Sequence, residues 1–371
     1  MTRRIAALVP NVLSASPGQR ARIELWAHHL GAAGWDVVFH PFEDDRLHDV
    51  LYTPGRTAAK GARLLSCYGR HLAAVARGID GDVIFVYREA ALVGPALVER
   101  AVARRRAPLV YDLDDPIWVP YRSPTSGWMS MLKFPGKTRT LFRLSDQVIA
   151  INRAIGDYAA RFNRAVAVIP NCIDTERYRP RHPPPEPPVR LAWIGSHSTV
   201  ANLETIAAPL RALHAARPVV LRVIGAGSAP ALSGLPVEFK EWSQDTEVDL
   251  LGECHVGLVP LNDLPWNPWK FFFKTIQYMA LGLPVVARRM GSNPEVIDEG
   301  VNGYLVETEE EWLDRLLLLA SDAGLRRRLG DAARATVVER YSVQSQMPRV
   351  VSVFEKALGQ GRAVPAPGEV R

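Results

Sequence analysis

The chain has 371 residues, 47% hydrophobic and 23% charged, which excludes a disordered polymer and exceeds what one hydrophobic core usually supports, so two domains are expected. A formal charge of +6 suits anionic ligands in general, and no motif singles out nucleic acid among them. Cys67, Cys172 and Cys254 are isolated thiols with no CxxC pairing, which argues against a disulfide framework or a structural zinc and reads them as core fillers.

From the N-terminus, MTRRIAALVPNVLSASPGQ has too short an apolar stretch for a signal peptide, and no later run is long enough to span a bilayer. A cytoplasmic protein is therefore expected. Short apolar runs predict strands at 4–10, 35–42, 82–87, 108–113, 147–151 and 165–170, with helices between them. The first helix, in GQRARIELWAHHLGAAG, carries an apolar stripe of Ile23, Trp26, Ala27 and Leu30; His28 and His29 on it have no matching ligand and read as structural or surface residues. PRHPPPEPPVR, residues 180–190, is too rich in proline for a helix or a central strand and marks a boundary. Strands then resume at 189–195, 219–227, 237–242, 255–261, 284–289 and 303–306, with a helix near 200–216. The pattern is α/β, with parallel sheets and crossover helices. It divides into 1–180, 189–342, a C-terminal helix at 343–358 returning to the first domain, and a flexible tail at 359–371. The arginine triplets 104–106 and 326–328 read as solvated helix faces.

In open parallel sheets, ligands bind at the carboxyl ends of the strands, where helix N-termini aim amides at anions. WIGSHSTVANLETI places Gly195 and Ser196 directly after a strand; it reads equally as a phosphate loop or as a tight turn capped by Ser198 or Thr199. LRVIGAG is similarly ambiguous. Lys270 and Lys274, four apart near the start of one expected helix, would share a face and, with free amides near Phe272 and Phe273, form an anion site; the bland alternative is a solvated pair.

The window PWNPWKFFFKTIQYMALGLPVVARRMGSNPEVIDEGVNGYLV, residues 265–306, resembles the donor site of family 4 glycosyltransferases (glycosyl transferases group 1) of the GT-B type. VIAINRAIGDYAARF, VIPNCIDTERYRP and SPGQRARIELWAHHL are similar to other phrases of that family, so the resemblance covers nearly the whole chain. It implies a GT-B fold, two Rossmann-like domains whose parallel sheets face an interdomain cleft. It also implies transfer of a sugar from a nucleoside-diphosphate sugar to a hydroxyl or amine acceptor with retention of configuration. The acceptor class is a small molecule, a glycan or a lipid-linked acceptor, and no cofactor or essential metal is expected. Lys270 and Lys274 would then neutralise the leaving diphosphate. Gln277 stands where the family has a glutamate that accepts from ribose hydroxyls, and Trp269 where it has another acid. Ser196 replaces the usual arginine, and a variant pattern with Gly-Ser and paired lysines is closer to this chain. Ser292 and Glu295 match the turn that meets the donor sugar, though Glu295 also reads as a helix-start acid. Gly18 would let the opposing loop approach the donor, with Arg20 reaching its phosphates.

On the acceptor side, YDLDDPIW sets Asp112, Asp114 and Asp115 at a strand end, where a carboxylate would orient or deprotonate an acceptor hydroxyl; Asp114 or Asp115 capping the next turn is the alternative. Trp118, Tyr121, Trp128 and Met131 would line an acceptor pocket or cover the domain. Two rival functions remain: a GT-B sugar-nucleotide epimerase, and a non-catalytic nucleotide-sugar-binding protein, the latter suggested by Trp269 and Gln277.

Overall fold

A computed structural model describes residues 2–51, 53, 55–120, 134–181, 183 and 188–359. Tyr121, Trp128, Met131, most of the proline-rich stretch and the tail from 360 lie outside the described residues. Strands form where β-branched and aromatic residues are concentrated. In the first unit these are β1 (Arg3–Val9), β2 (Trp35–Pro41), β3 (Val83–Tyr87), β4 (Leu109–Leu113), β5 (Gln147–Ala150) and β6 (Val166–Val168). In the second they are β7 (Val189–Ile194), β8 (Val219–Ile224), β9 (Val237–Lys240), β10 (Val256–Val259), β11 (Val285–Arg288) and β12 (Gly303–Val306). β3, β4 and β10 are buried at every position, as strands covered on both faces are.

Pairing is parallel throughout both sheets, in the orders β2-β1-β3-β4-β5-β6 and β12-β11-β10-β7-β8-β9. Each order reverses direction once, between β1 and β3 in the first unit and between β7 and β10 in the second. A crevice outside the strand ends at such a reversal is where doubly wound sheets bind ligands. Among the described residues, no helix is long and apolar enough to cross a membrane.

The units are residues 1–171 with 346–371, and Cys172–Ser345. The division falls nine residues before the end of the expected first domain, because Ile173 and Tyr178 bury themselves in the second unit's core and Ile173 bridges Ser342. The helix Val343–Gly359 supplies Phe354, whose ring lies 5.7 Å from that of Trp35 and 5.9 Å from that of Phe85, and its Arg349 Nη2 donates to the Val168 carbonyl at 2.6 Å. This assigns its larger part to the first unit.

Two features differ from the sequence reading. The first helix is not continuous: a turn at Pro17–Gln19 leads into a wide π-type turn, Arg20–Glu24, and only then into the α-helix Leu25–Ala32, with Arg22 at φ −120°, ψ −108°. Such a bulge turns one side chain out of the helical repeat, here the buried Arg22. The arginine triplets are not wholly solvated either. Arg326 is buried and donates to the Leu319 carbonyl at 2.7 Å, at the end of the helix Glu309–Ser321; Arg105 donates to Ala76 at 2.9 Å, at the end of the helix Thr57–Arg77. Both satisfy carbonyls that a helix end leaves open.

Candidate functional site

In the second unit, β7 ends in Trp193-Ile194 and is followed directly by Gly195. A Cβ on Gly195 would stand 2.5 Å from Trp193 Cη2 and 2.7 Å from Thr199 Oγ1, so the backbone lies directly on the indole and only glycine fits. Thr199 Oγ1 accepts from the Ser196 amide and donates to the Ser196 carbonyl, both at 3.1 Å. The turn is thus tied to itself, and the Ser196 amide is already committed. Thr199 forms the turn, while the exposed hydroxyls of Ser196 and Ser198 hydrogen-bond each other at 2.8 Å.

Lys274 packs on the same indole, its Nζ 4.6 Å from the Trp193 ring centroid. Burial favours the neutral amine and lowers its pKa to about 8. The ring keeps part of the cation's stabilisation without consuming a hydrogen-bond donor. Trp193 therefore joins Gly195 and Lys274 into one constellation beside the β7–β10 reversal. Lys270 lies elsewhere than expected: the helix runs Phe273–Ala280, and Lys270 occupies an extended residue (ψ 148°) after the short turn Asn267–Trp269. The two lysines do not share a helical face. Of the amides expected to be free, that of Phe272 donates to Ser292 Oγ at 3.1 Å, and the Ser292 amide donates to the Lys270 carbonyl at 3.0 Å. Ser292 is buried and spends both groups on fixing the segment that carries Lys270. Its neighbour Asn293 is held by Thr275 Oγ1 at 2.9 Å, and the carbonyl of half-buried Glu295 accepts from Arg340 Nη2 at 2.9 Å and Tyr341 at 3.1 Å. Trp269 closes the short turn and is half-buried.

Gln277, three residues after Lys274 on the helix, is buried, and its Nε2 donates to the Tyr178 hydroxyl at 3.1 Å. Tyr178 in turn donates to Glu247 Oε1 at 2.5 Å, and burial followed by the Glu247 charge raises the phenol's pKa, so it keeps its proton. Arg177 Nη2 donates to the same carboxylate at 3.1 Å, and the Trp242 indole Nε1 donates to its other oxygen at 2.8 Å. Arg334 locks the backbone of this segment through the carbonyls of Thr175, Tyr178 and Ala280 at 2.9, 2.6 and 2.7 Å.

In the first unit the strand end after β4 is a set of ion pairs. Asp112 is fully buried, and its two oxygens accept from Arg22 Nε at 2.7 Å and Nη2 at 2.6 Å; Arg22 Nη1 donates to Ile169 O at 3.0 Å, and the guanidinium lies 4.6 Å from the Trp26 ring. Burial pushes the Asp112 carboxyl up to about 6 against the pull of Arg22. Asp114 pairs with Arg88, whose Nη2 donates at 2.8 Å and whose Nε also donates, and accepts from Tyr87 at 2.7 Å. Burial opposes its ionisation, but Arg88 and Tyr87 outweigh it and lower its pKa. Both oxygens of each carboxylate therefore already accept from arginine or tyrosine side chains. Asp115 is more open, its side chain 32% exposed against 4% for Asp114, with its Oδ2 3.9 Å from Arg88. Arg88 has a left-handed backbone, φ 54°, a strained state for a non-glycine residue.

Gly18 meets this cluster and not open space: a Cβ there would lie 2.6 Å from the Tyr87 hydroxyl and 2.7 Å from both Arg88 Nη2 and Asp114 Oδ2. Arg20 begins the wide turn just beyond it and is half-buried. Trp118 stacks on Tyr158, centroids 4.3 Å apart and planes at 16°, which gives it a packing role on the helix Arg153–Ala160.

Five residues of these constellations escaped the sequence reading: Arg22, Arg88, Tyr178, Trp193 and Glu247. Arg22 left a trace, being a charge four residues before Trp26 on an otherwise apolar stripe. Arg88 directly follows a wholly apolar strand. Tyr178 and Glu247 are 69 residues apart and leave no local signal.

Two sheets of this order, each with its charged residues gathered at the strand ends, define the two-domain Rossmann-like architecture of GT-B glycosyltransferases. The crystal structure of Anabaena HepE in complex with UDP and glucose superposes with a TM-score of 0.65 at 17% identity, over 95% of this chain and 99% of that one. A family model for glycosyl transferases group 1 matches residues 188–322, and one for glycosyltransferase family 4 matches residues 18–177. The chain belongs to these family 4, group 1 glycosyltransferases. Spore coat protein SA of Bacillus subtilis is 37% identical over 95 residues, 24% of this chain and 25% of that protein. A D-inositol 3-phosphate glycosyltransferase of Saccharomonospora viridis is 25% identical over 243 residues, 59% of this chain and 54% of that protein. The chain thus spans between a quarter and about half of the length of these two relatives.

Proposed function

We propose that the protein transfers a glycosyl unit from a nucleoside-diphosphate sugar to a hydroxyl or amine acceptor, with retention at the anomeric carbon. The observation that carries this reading is Lys274 seated on Trp193 beneath Gly195, at the reversal point of the second sheet: a cation beside a strand-end turn and a helix N-terminus is suited to a diphosphate. Lys274 and Lys270 stabilise the leaving diphosphate, and the reading requires no resident metal. In the step proposed, the bond from the anomeric carbon to the diphosphate oxygen breaks and a bond to the acceptor oxygen or nitrogen forms on the same face. The acceptor proton passes to the departing diphosphate. Asp115 is the carboxylate that orients the acceptor, and Asp112 and Asp114 hold the frame around it through Arg22 and Arg88. Glu295 stands near the donor sugar in this reading. A cytoplasmic location, peripheral at the membrane for a lipid acceptor, belongs to the same proposal.

The test is incubation with UDP-, GDP- and ADP-sugars and a panel of soluble and lipid-linked acceptors, following diphosphate release and the anomeric configuration of the product by NMR. Acceptor-dependent release that persists in excess chelator supports the proposal. Nucleotide-sugar binding without release across the panel would favour the non-catalytic reading that Trp269 and Gln277 suggest.

A further inference from the structure

Gln277 is 7% exposed, and its Oε1 accepts from no described residue, whereas its Nε2 is engaged. Which end of the amide faces Tyr178 follows from hydrogen-bond chemistry. An ionised carboxylate can only accept. The Tyr178 proton is therefore committed to Glu247, the Tyr178 oxygen must accept, and Gln277 must present its NH2 group to it. The carbonyl oxygen is left pointing away. Arg177 and Trp242 fix the Glu247 carboxylate by donating to it from two further directions. That oxygen keeps its accepting capacity for a donor that arrives from solvent or with a ligand.

We infer that the chain Glu247–Tyr178–Gln277 is a positioning relay that sets the Gln277 amide with its oxygen toward the ligand, where it accepts a hydrogen bond from a ribose hydroxyl of the nucleoside diphosphate. This rests on the donor reading above. Lys274 and Gln277 are three apart on one helix and share a face, so a ligand whose diphosphate meets Lys274 has its next hydroxyls at the height of Gln277. The relay also gives a reason for an amide at this position. A carboxylate at 277 would confront the lone pairs of a hydroxyl whose only proton belongs to Glu247, and two negative groups would share one donor.

The experiment is calorimetric binding of UDP, GDP and ADP, and then of the 2′,3′-dideoxy form of whichever binds best. The proteins are wild type, Glu247→Gln, Tyr178→Phe, Gln277→Glu and the exchange variant Gln277→Glu with Glu247→Gln. Wild type should prefer the hydroxylated nucleotide by about tenfold, the scale of one buried hydrogen bond. Glu247→Gln, which keeps its shape, lets the Tyr178 proton and the amide turn round, so the preference should fall towards unity, as in Tyr178→Phe, while dideoxynucleotide affinity holds. Gln277→Glu should also lose the preference, and the exchange variant, with the relay running the other way, should recover it. An undiminished preference in Glu247→Gln, or equal loss of both nucleotides, would overturn the relay and leave the donor reading standing. Failure of folded wild type to bind any of the three would overturn the donor reading and the relay with it.

Discussion

Arg22 and Asp112, 90 residues apart in sequence, are fully buried and joined by two hydrogen bonds of 2.6 and 2.7 Å. The pair fastens the loop after β1 to the end of β4, and the wide turn at Arg20–Glu24 delivers the guanidinium to it. Removing one partner of a buried pair leaves the other without compensation, at about 3 kcal/mol or more. Asp112→Asn should therefore destabilise the first unit by that order in chemical denaturation and leave the nucleotide affinity proposed for the second unit unchanged. Full stability with lost turnover would instead give Asp112 a direct part in the chemistry.

Gly18 tests how tightly the Tyr87–Asp114–Arg88 cluster is packed. Ala at this position puts a methyl carbon 2.6 to 2.7 Å from three polar atoms, two of them members of an ion pair. Overpacking of this kind costs about 1–3 kcal/mol. Gly18→Ala should lower the melting temperature and turnover together, whereas Gly31→Ala, where nothing lies within 4 Å, should leave both unaltered.

Lys274 ties affinity to pH. Its ammonium is present below about pH 8 and lost above it in the free protein. Between pH 8 and 10, where a nucleoside diphosphate is already fully ionised, its affinity should decline towards about tenfold per unit as a proton must be taken up on binding. Lys274→Met should bind about 10- to 100-fold more weakly at pH 7, the range for losing a charged hydrogen bond, and its affinity should not vary over that pH window. Calorimetry across the window decides it; parallel profiles for the two proteins would remove Lys274 from the diphosphate site.

Arg88 carries backbone strain that can be read separately from its ion pair. Both Arg88→Ala and Arg88→Gly delete the contacts to Asp114, but only glycine adopts φ 54° without a Cβ penalty. The glycine variant should be the more stable of the two by about 1 kcal/mol in chemical denaturation. The reverse order would mean that the chain relaxes out of the left-handed state once the side chain is gone.

The strands were legible in the sequence because a strand buried on both faces is dominated by apolar residues: VIFVY, VGLV and LVYDL, the last broken only by Asp112, are visible without coordinates, and their sheet ends follow from the βα alternation. The motif around residues 265–306 likewise announced the region of the helix Phe273–Ala280. Its details were not legible there. Lys270 and Lys274 are four apart, yet the helix starts only at Phe273, because Phe272 and Lys270 are bound by Ser292 from another turn.

The sequence by itself determined the α/β class, the strand positions and the kinds of charged group available, since each depends on residues within one short window. Only the tertiary structure decided which carboxylate is spent and which acceptor is left over. Asp112 is claimed by Arg22 from 90 residues away, and the Gln277 amide is oriented by Tyr178 from 99. Charge and hydrogen-bonding capacity are properties of a residue, but whether they are still available depends on neighbours that the chain brings together only on folding.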